Sequence, residues 1–276
     1  MRLMPIPHTG AIDYSHPHMD KLLAWYPLTS ITSNAISDSG TDLSMYRNHG
    51  VPSSGVMVSP NQFHRIGRFG GFQDHALSDI VIGSNRGWRS LKALTMCAWM
   101  FTDDTTKSQT IFNKGFTSHA DPFYQVYFQL GATGKPTWEG AINGNRNNFG
   151  ATNQELTNNV VAHVAFVYDG QTAPRLYIDG EGPKALTQNV GADTSGPISN
   201  WNTNPKIGQL ANVDTNEFDG GIADIRIWTR PLSLAEINEV MVDPWAPLIS
   251  DWMPGRSVAA VAGGPAPSMM LTGVGV

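Results

Sequence analysis

Apolar positions along the chain recur at a spacing of two in short runs, and the clearest run is Phe218 to Trp228, where Phe218, Gly220, Ile222, Ile225, Ile227 and Trp228 read as a buried strand. The period then changes. Ser233, Leu234, Ala235 and Glu236 form a capping box, in which the Ser233 hydroxyl accepts from the Glu236 amide and the Glu236 carboxylate accepts from the Ser233 amide. Leu232 and Ile237 flank it as a hydrophobic staple, and Ile237, Val240 and Met241 give the next turns one apolar face. Asp243-Pro244 ends the pattern, because proline disfavours helical geometry in the residue before it. The pattern predicts one short helix lying on a sheet.

Upstream, strands are predicted over Ala76 to Ile82, Leu94 to Phe101, Gln109 to Asn113, Tyr124 to Leu130 and Thr137 to Ile142. Asp169-Gly170 and Asp179-Gly180 bracket Leu176 to Ile178, and Asp-Gly tolerates the positive φ of tight hairpins, so this piece reads as a meander. Asn34 to Gly55 is rich in Ser, Asn, Asp and Gly and reads as loop with brief pairing. Many short strands with one terminal helix indicate an all-β fold, a two-sheet antiparallel jelly-roll sandwich with extended terminal arms. The expected parts are an arm over 1–21, a body over 22–242 and an apolar Gly/Pro-rich tail over 243–276.

The run from Phe218 to Trp228, followed by Arg230-Pro231-Leu232-Ser233 and Ala235-Glu236-Ile237, resembles the closing signature of the laminin-G-like jelly rolls of the concanavalin A-like lectin/glucanase superfamily. Trp25 to Leu28, Arg47 to Gly50, Arg68 to Phe72 with Asp74, His163 to Gly170 and Leu176 to Gly180 are similar to that family's earlier landmarks, in order.

At 276 residues the chain fits one domain, since all-β sandwiches run to about 250 residues. Its 28 Gly and 18 Pro supply turns, and 41% hydrophobic residues supply a core. A net charge of −5, with no window joining Lys and Arg to stacking aromatics, argues against nucleic acid as a partner. The start of the chain lacks the apolar core of a secretory signal, and no window of about 20 apolar residues marks a membrane span, so no membrane partner is expected. The sole cysteine, Cys97, sits in a run apolar on both faces and reads as a small buried hydrophobe.

The resemblance raises three kinds of site. A glucanase on this fold would need paired carboxylates on one strand, and Glu217-Phe218-Asp219 supplies only the first half, so a non-enzymatic protein is expected. Calcium is the more serious metal possibility, with Asp74 and Asp79 as oxygen ligands; solvated carboxylates are the plainer reading, and no cofactor is expected. His16 and His18 lack a third ligand for zinc, and His163 reads as a structural histidine. Gly131 to Pro136 has the wrong spacing for a phosphate loop, and no Gly-x-Ser-x-Gly occurs. Glycan binding would use exposed rings and amides, for which Trp138, Asn143, Asn145, Arg146, Trp201 and Asn202 are the candidates, in loops that include Asn147, Asn148, Asn200 and Asn204.

After Arg256 the last 20 residues carry no charged side chain. Trp245, Trp252, Met269, Met270 and Leu271 are read as assembly anchors that meet a neighbouring chain. Together with the resemblance of "L-S-x-A-E-I" and "D-P-W" to the endings of phage-encoded proteins of this fold, the expected role is a structural or adhesion protein of a tailed-phage virion, a capsid decoration or fibre subunit. Its partners would be other virion proteins or copies of itself through the terminal arms, and a cell-surface glycan. The alternatives are a free carbohydrate-binding module of a secreted or surface bacterial protein, extracellular in location, and a glycoside hydrolase.

Overall fold

The computed structural model describes residues 10–28, 41–52, 57–59, 71–73, 80–83, 86–115, 126–199, 204–210 and 216–250. In chain order the strands are β1 (Gly10–Ile12), β2 (Leu22–Tyr26), β3 (Gly50–Pro52), β4 (Met57–Ser59), β5 (Gly71–Gln73), β6 (Ile80–Ile82), β7 (Leu94–Thr102), β8 (Gln109–Lys114) and β9 (Val126–Gly131). They continue with β10 (Lys135–Ile142), β11 (Asn145–Ala151), β12 (Ala162–Tyr168), β13 (Arg175–Ile178), β14 (Glu181–Lys184), β15 (Leu186–Val190), β16 (Lys206–Ile207), β17 (Gly220–Trp228) and β18 (Leu248–Ser250). Helix α1 (Leu234–Val242) follows β17.

Two antiparallel sheets carry the fold. Sheet I has the order β15-β11-β10-β9-β8-β16-β6-β3, and sheet II the order β14-β13-β12-β7-β17-β5-β4, with β2 also on β17. Their inner faces supply one core, in which Met96, Met100, Phe128, Trp138, Phe149, Phe166, Tyr168, Ile222, Ile225 and Ile227 meet. Aromatic pairs span it: Trp138 stacks on Tyr168 with centroids 5.5 Å apart, and Phe128 meets Phe166 edge-on at 5.5 Å.

β17 is the hub of sheet II. Its register against β7 shifts between Ala223 and Arg226, and Asp224 sits at φ 50° in that bulge. The extra residue lets Ile222 and Ile225, three apart, both face the core, and turns Asp224 to the same outer side as Arg226 and Trp228. The bulge also marks where β17 changes partner, from β5 at Gly221 and Ile222 to β2 from Ile225 onward.

The outer face of sheet II is closed by chain from both ends. Helix α1 lays Ile237 and Val240 on Trp25, Cys97, Val167 and Trp228. Its capping box forms as expected, with the Glu236 amide donating to Ser233 Oγ at 3.3 Å and the Ser233 amide donating to Glu236 Oε2 at 2.8 Å. Cys97 is buried there, and burial pushes its thiol far above the ordinary value, so it packs as a hydrophobe.

One expectation needs correction. Trp245 was read as an anchor for a neighbouring chain, but it is 8% exposed and packs on the domain itself, its ring 6.0 Å from that of Trp25. A hydrogen bond from Arg226 Nη2 to the Pro244 carbonyl holds the chain there. The terminal segments also pair with each other, β1 on β18, and the Asp13 amide donates to the Pro247 carbonyl at 2.8 Å. Trp252, Met269, Met270 and Leu271 lie outside the described residues.

Candidate functional site

The site is built on the β10–β11 hairpin of sheet I. Asn143 and Gly144, at φ 53° and 82°, make a two-residue turn that needs positive φ at both positions. The polar run after it, expected to be loop, is strand β11 instead, because its amides find partners across the sheet. This overturns the expected role of Trp138. Alternation along β10 turns the ring into the core, 1% exposed, where it lies over Gly140; a Cβ on Gly140 would stand 2.6 Å from Trp138 Cζ2. A ring in that position has no face free for a sugar.

Glu139, the next residue, points to the outer face. Successive Cα partners run across the sheet from Asn148 through Glu139, Tyr127 and Asn113 to Lys206, forming a polar row. Glu139 is 1% exposed, yet its charge is met on both oxygens: Arg146 Nε donates to Oε1 at 2.8 Å and Nη2 to Oε2 at 3.1 Å. Asn148 Nδ2 also donates to Oε2, at 3.1 Å. Further along the row, Tyr127 shares a hydrogen bond with Thr110 Oγ1 at 3.2 Å, and burial pushes its hydroxyl up to about 12. Asn113 Nδ2 donates to the Gln209 carbonyl at 2.5 Å.

A carboxylate only accepts, so Glu139 dictates the direction of every amide attached to it. Asn148 must face it with its NH2 group, which turns Asn148 Oδ1 toward Asn189 Nδ2 at 2.9 Å. Asn189, itself exposed, reaches Asn148 with its NH2 group and not with its carbonyl oxygen. It can do so because β15 shifts register against β11 at this point, leaving Asn189 as the extra residue between Gln188 and Val190.

The hairpin tip extends the polar surface. Asn143 Nδ2 donates to the Ser195 carbonyl and Asn145 Nδ2 to Asp193 Oδ2, both at 3.0 Å. Asn147 Oδ1 accepts from the Asp193 amide at 2.9 Å and from Gln188 Nε2 at 3.2 Å. The Asn145 hydrogen bond, with help from Asn143 and Asn147, holds the Asp193 carboxyl below the ordinary carboxylate range.

Of the six expected glycan-site residues, the structure brings Asn143, Asn145 and Arg146 to one edge and removes Trp138 to the core. Trp201 and Asn202 lie outside the described residues, as do Asp74 and Asp79. Among the described residues no group of three or more His, Cys, Asp or Glu is placed to hold a metal. Glu139, Gln188, Asn189 and Asp193 escaped the sequence reading, although Asn143-Gly144 between two alternating runs was a hairpin signal that would have exposed the pairing.

The arrangement offers fixed donors and acceptors. A retaining glycosidase sets two carboxyl groups about 5–5.5 Å apart. Glu139 has three N–H donors on its oxygens instead. Asp219, from the half-motif at the start of β17, has its amide bonded to Gln109 Oε1 and its carboxylate 4.0 Å from Lys107 Nζ.

Residues 75–238 match the family model of the concanavalin A-like lectin/glucanases superfamily. No curated protein sequence matches the chain. Among solved structures it is similar to the binding domain of botulinum neurotoxin serotype D, at 16% identity and TM-score 0.58, covering 83% of this chain and 52% of that one. The same domain in complex with N-acetylneuraminic acid gives 17%, 0.57, 81% and 51%, and the binding domain of Paraclostridial Mosquitocidal Protein 1 gives 13%, 0.57, 83% and 53%. The chain thus spans about half the length of these proteins.

Proposed function

The chain belongs to the concanavalin A-like lectin/glucanases superfamily, and on that premise we propose that it is a non-catalytic carbohydrate-binding domain whose ligand lies along the Asn143–Arg146 hairpin tip and the β15 edge. The observation that carries the reading is the buried Glu139 carboxylate, which orients Arg146 directly and Asn189 through Asn148. Sugar hydroxyls both donate and accept, so a surface that sets a guanidinium beside several side-chain amides suits them. Because Glu139 neutralises Arg146, the patch favours neutral sugars over anionic ones. One solved neighbour binds N-acetylneuraminic acid, and that sugar belongs on the test panel beside neutral glycans.

The test is a glycan array followed by titration of the best ligand against Arg146→Ala and Asn189→Ala. Losing a hydrogen bond from a charged donor should weaken binding by about tenfold or more for Arg146→Ala. An array without a hit, or binding that survives both substitutions together, overturns the reading. A β-glucan panel should release no reducing sugar, and EDTA should leave the melting temperature unchanged, since a bound calcium would raise it by mass action.

The finer reading is a structural or adhesion component of a tailed-phage virion, with a free extracellular binding module as its rival. It is supported by the resemblance of the stretch from Leu232 to Trp245 to phage protein endings, and by the uncharged residues after Arg256. Mass spectrometry of purified particles should find the protein; finding it only free in the medium would select the rival.

A further inference from the structure

Two histidines sit where the N-terminal turn, helix α1 and strand β17 meet. Pro17–Met19 is a single 3-10 turn, and His16 caps it: His16 Nδ1 accepts from the His18 amide at 3.2 Å. An imidazole nitrogen can accept there only while it carries no proton. The ring of His18 is buried, 4.6 Å from that of His16, with Nε2 3.2 Å from Glu239 Oε2. Among the described residues its Nδ1 is buried without a hydrogen-bond partner. The neutral form with its proton on Nε2 satisfies this site; a second proton would place an N–H on Nδ1 with nothing to receive it.

The groups around the pair are Glu239 from the helix, Asp243 at its C-cap, Asp13 at the end of β1, and Arg226 from β17, which is itself paired with Asp224. Desolvation dominates for both rings and holds each below the ordinary histidine value. For His18 the Glu239 hydrogen bond opposes this, while His16 and Arg226 add to it. For His16 the acids Asp13, Asp243 and Glu239 oppose it and Arg226 adds to it.

The turn also fastens the chain ends. The His18 carbonyl accepts from Trp228 Nε1 at 2.7 Å, the Asp20 carbonyl accepts from Arg230 Nε at 3.2 Å, and the residues just before the turn pair β1 with β18. We propose that His16 and His18 form an acid-released latch, which holds the N-terminal turn and the β1–β18 pair on sheet II at neutral pH and frees them in mild acid. Both histidines are depressed in the closed state, so the opened state binds protons more readily. Closure is therefore complete above the ordinary histidine value of about 6.5 and is lost as pH falls below it. Opening uncovers the strand edge of β18, which pairs with β1 in the closed state.

Hydrogen exchange tests this on the full chain at about pH 7.5 and about pH 5, after correction for intrinsic exchange. Each proton taken up on opening changes the opening constant by up to about tenfold per pH unit, so protection at residues 10–20 and 248–250 should fall by about tenfold or more while β7 and β12 keep theirs. The double variant His16→Asn, His18→Gln retains an acceptor and a neutral donor at every pH, and its protection should not change between the two conditions. Unchanged protection in the wild type, an equal loss in β7 and β12, or an equal loss in the variant would overturn the latch. If the variant does not fold, the wild-type contrast between chain ends and core still decides.

Discussion

Two arginine–carboxylate pairs lie on the two outer faces of this sandwich, and they differ in one respect. Arg226 and Asp224 on sheet II are both fully buried, with the guanidinium 4.1 Å above the Trp25 ring and Trp25 Nε1 donating to Asp224 Oδ1 at 2.7 Å. Arg146 and Glu139 on sheet I share the same chemistry, but the Arg146 side chain is 32% exposed while Glu139 is covered. Each network draws on a β-bulge, Asp224 in central β17 and Asn189 in edge β15, because an extra residue turns a side chain to a face that alternation would deny it. The sealed pair can only fasten its surroundings, here the chain leading to Trp245. The half-open pair fixes one end of a side chain and presents the other to solvent, which is what a binding surface needs.

Breaking the sealed pair should have the largest effect. Asp224→Ala leaves a buried guanidinium without its counter-charge, and the melting free energy should fall by about 3–5 kcal/mol in chemical denaturation. Burial pushes the Asp224 carboxyl above its ordinary value, ahead of the opposing pull of Arg226 and Trp25, so keeping it ionised at neutral pH costs folding free energy. The double change Asp224→Leu, Arg226→Met should accordingly recover most of that loss. A double variant as unstable as the single one would show that the pair contributes net stability and would weaken the contrast.

The same cut on the other face should be milder for folding and harsher for binding. In Glu139→Ala, Arg146 can turn into water, so stability should fall by only about 1–2 kcal/mol. Asn148 and Asn189 lose the carboxylate that sets their direction, and glycan affinity should drop about tenfold even though Glu139 itself is covered. Equal stability losses for Asp224→Ala and Glu139→Ala would erase the distinction between the two pairs.

These differences also explain what could be read in the sequence. Strands covered on both faces announce themselves: Leu94 to Phe101 is apolar on both faces except at Thr95, and Phe218 to Trp228 is rich in β-branched and aromatic residues. Asparagine hides a strand, because Asn145, Asn147 and Asn148 read as loop until cross-strand partners are known, and those partners come from residues some 40 positions later. Trp138 looked available because composition cannot assign a face without the register that Asn143-Gly144 imposes. Trp245 looked unattached because its contact with Trp25 closes a loop of more than two hundred residues.

The smallest effect tests whether the covered face depends on its helix being well ended. Ser233 and Glu236 satisfy two helix N-terminal amides reciprocally, and Glu236 Oε1 also receives Arg230 Nη1 at 2.6 Å. Ser233→Ala removes the hydroxyl that accepts from the Glu236 amide and donates to Glu236 Oε2 at 2.9 Å but keeps the Ser233 amide, so the loss should be about 1 kcal/mol, read as a small fall in melting temperature. The Glu236 carboxyl lies below its ordinary value because backbone and side-chain hydrogen bonds from Ser233 and the Arg230 pair outweigh its burial. A depressed carboxyl contributes stability above its unfolded value that is lost as pH falls through the folded one, so the penalty of Ser233→Ala should shrink in acid. Glycan affinity should be unaffected, since the cap serves sheet II and the polar row lies on sheet I. A loss of affinity in Ser233→Ala would mean that the two faces are coupled through the core they share.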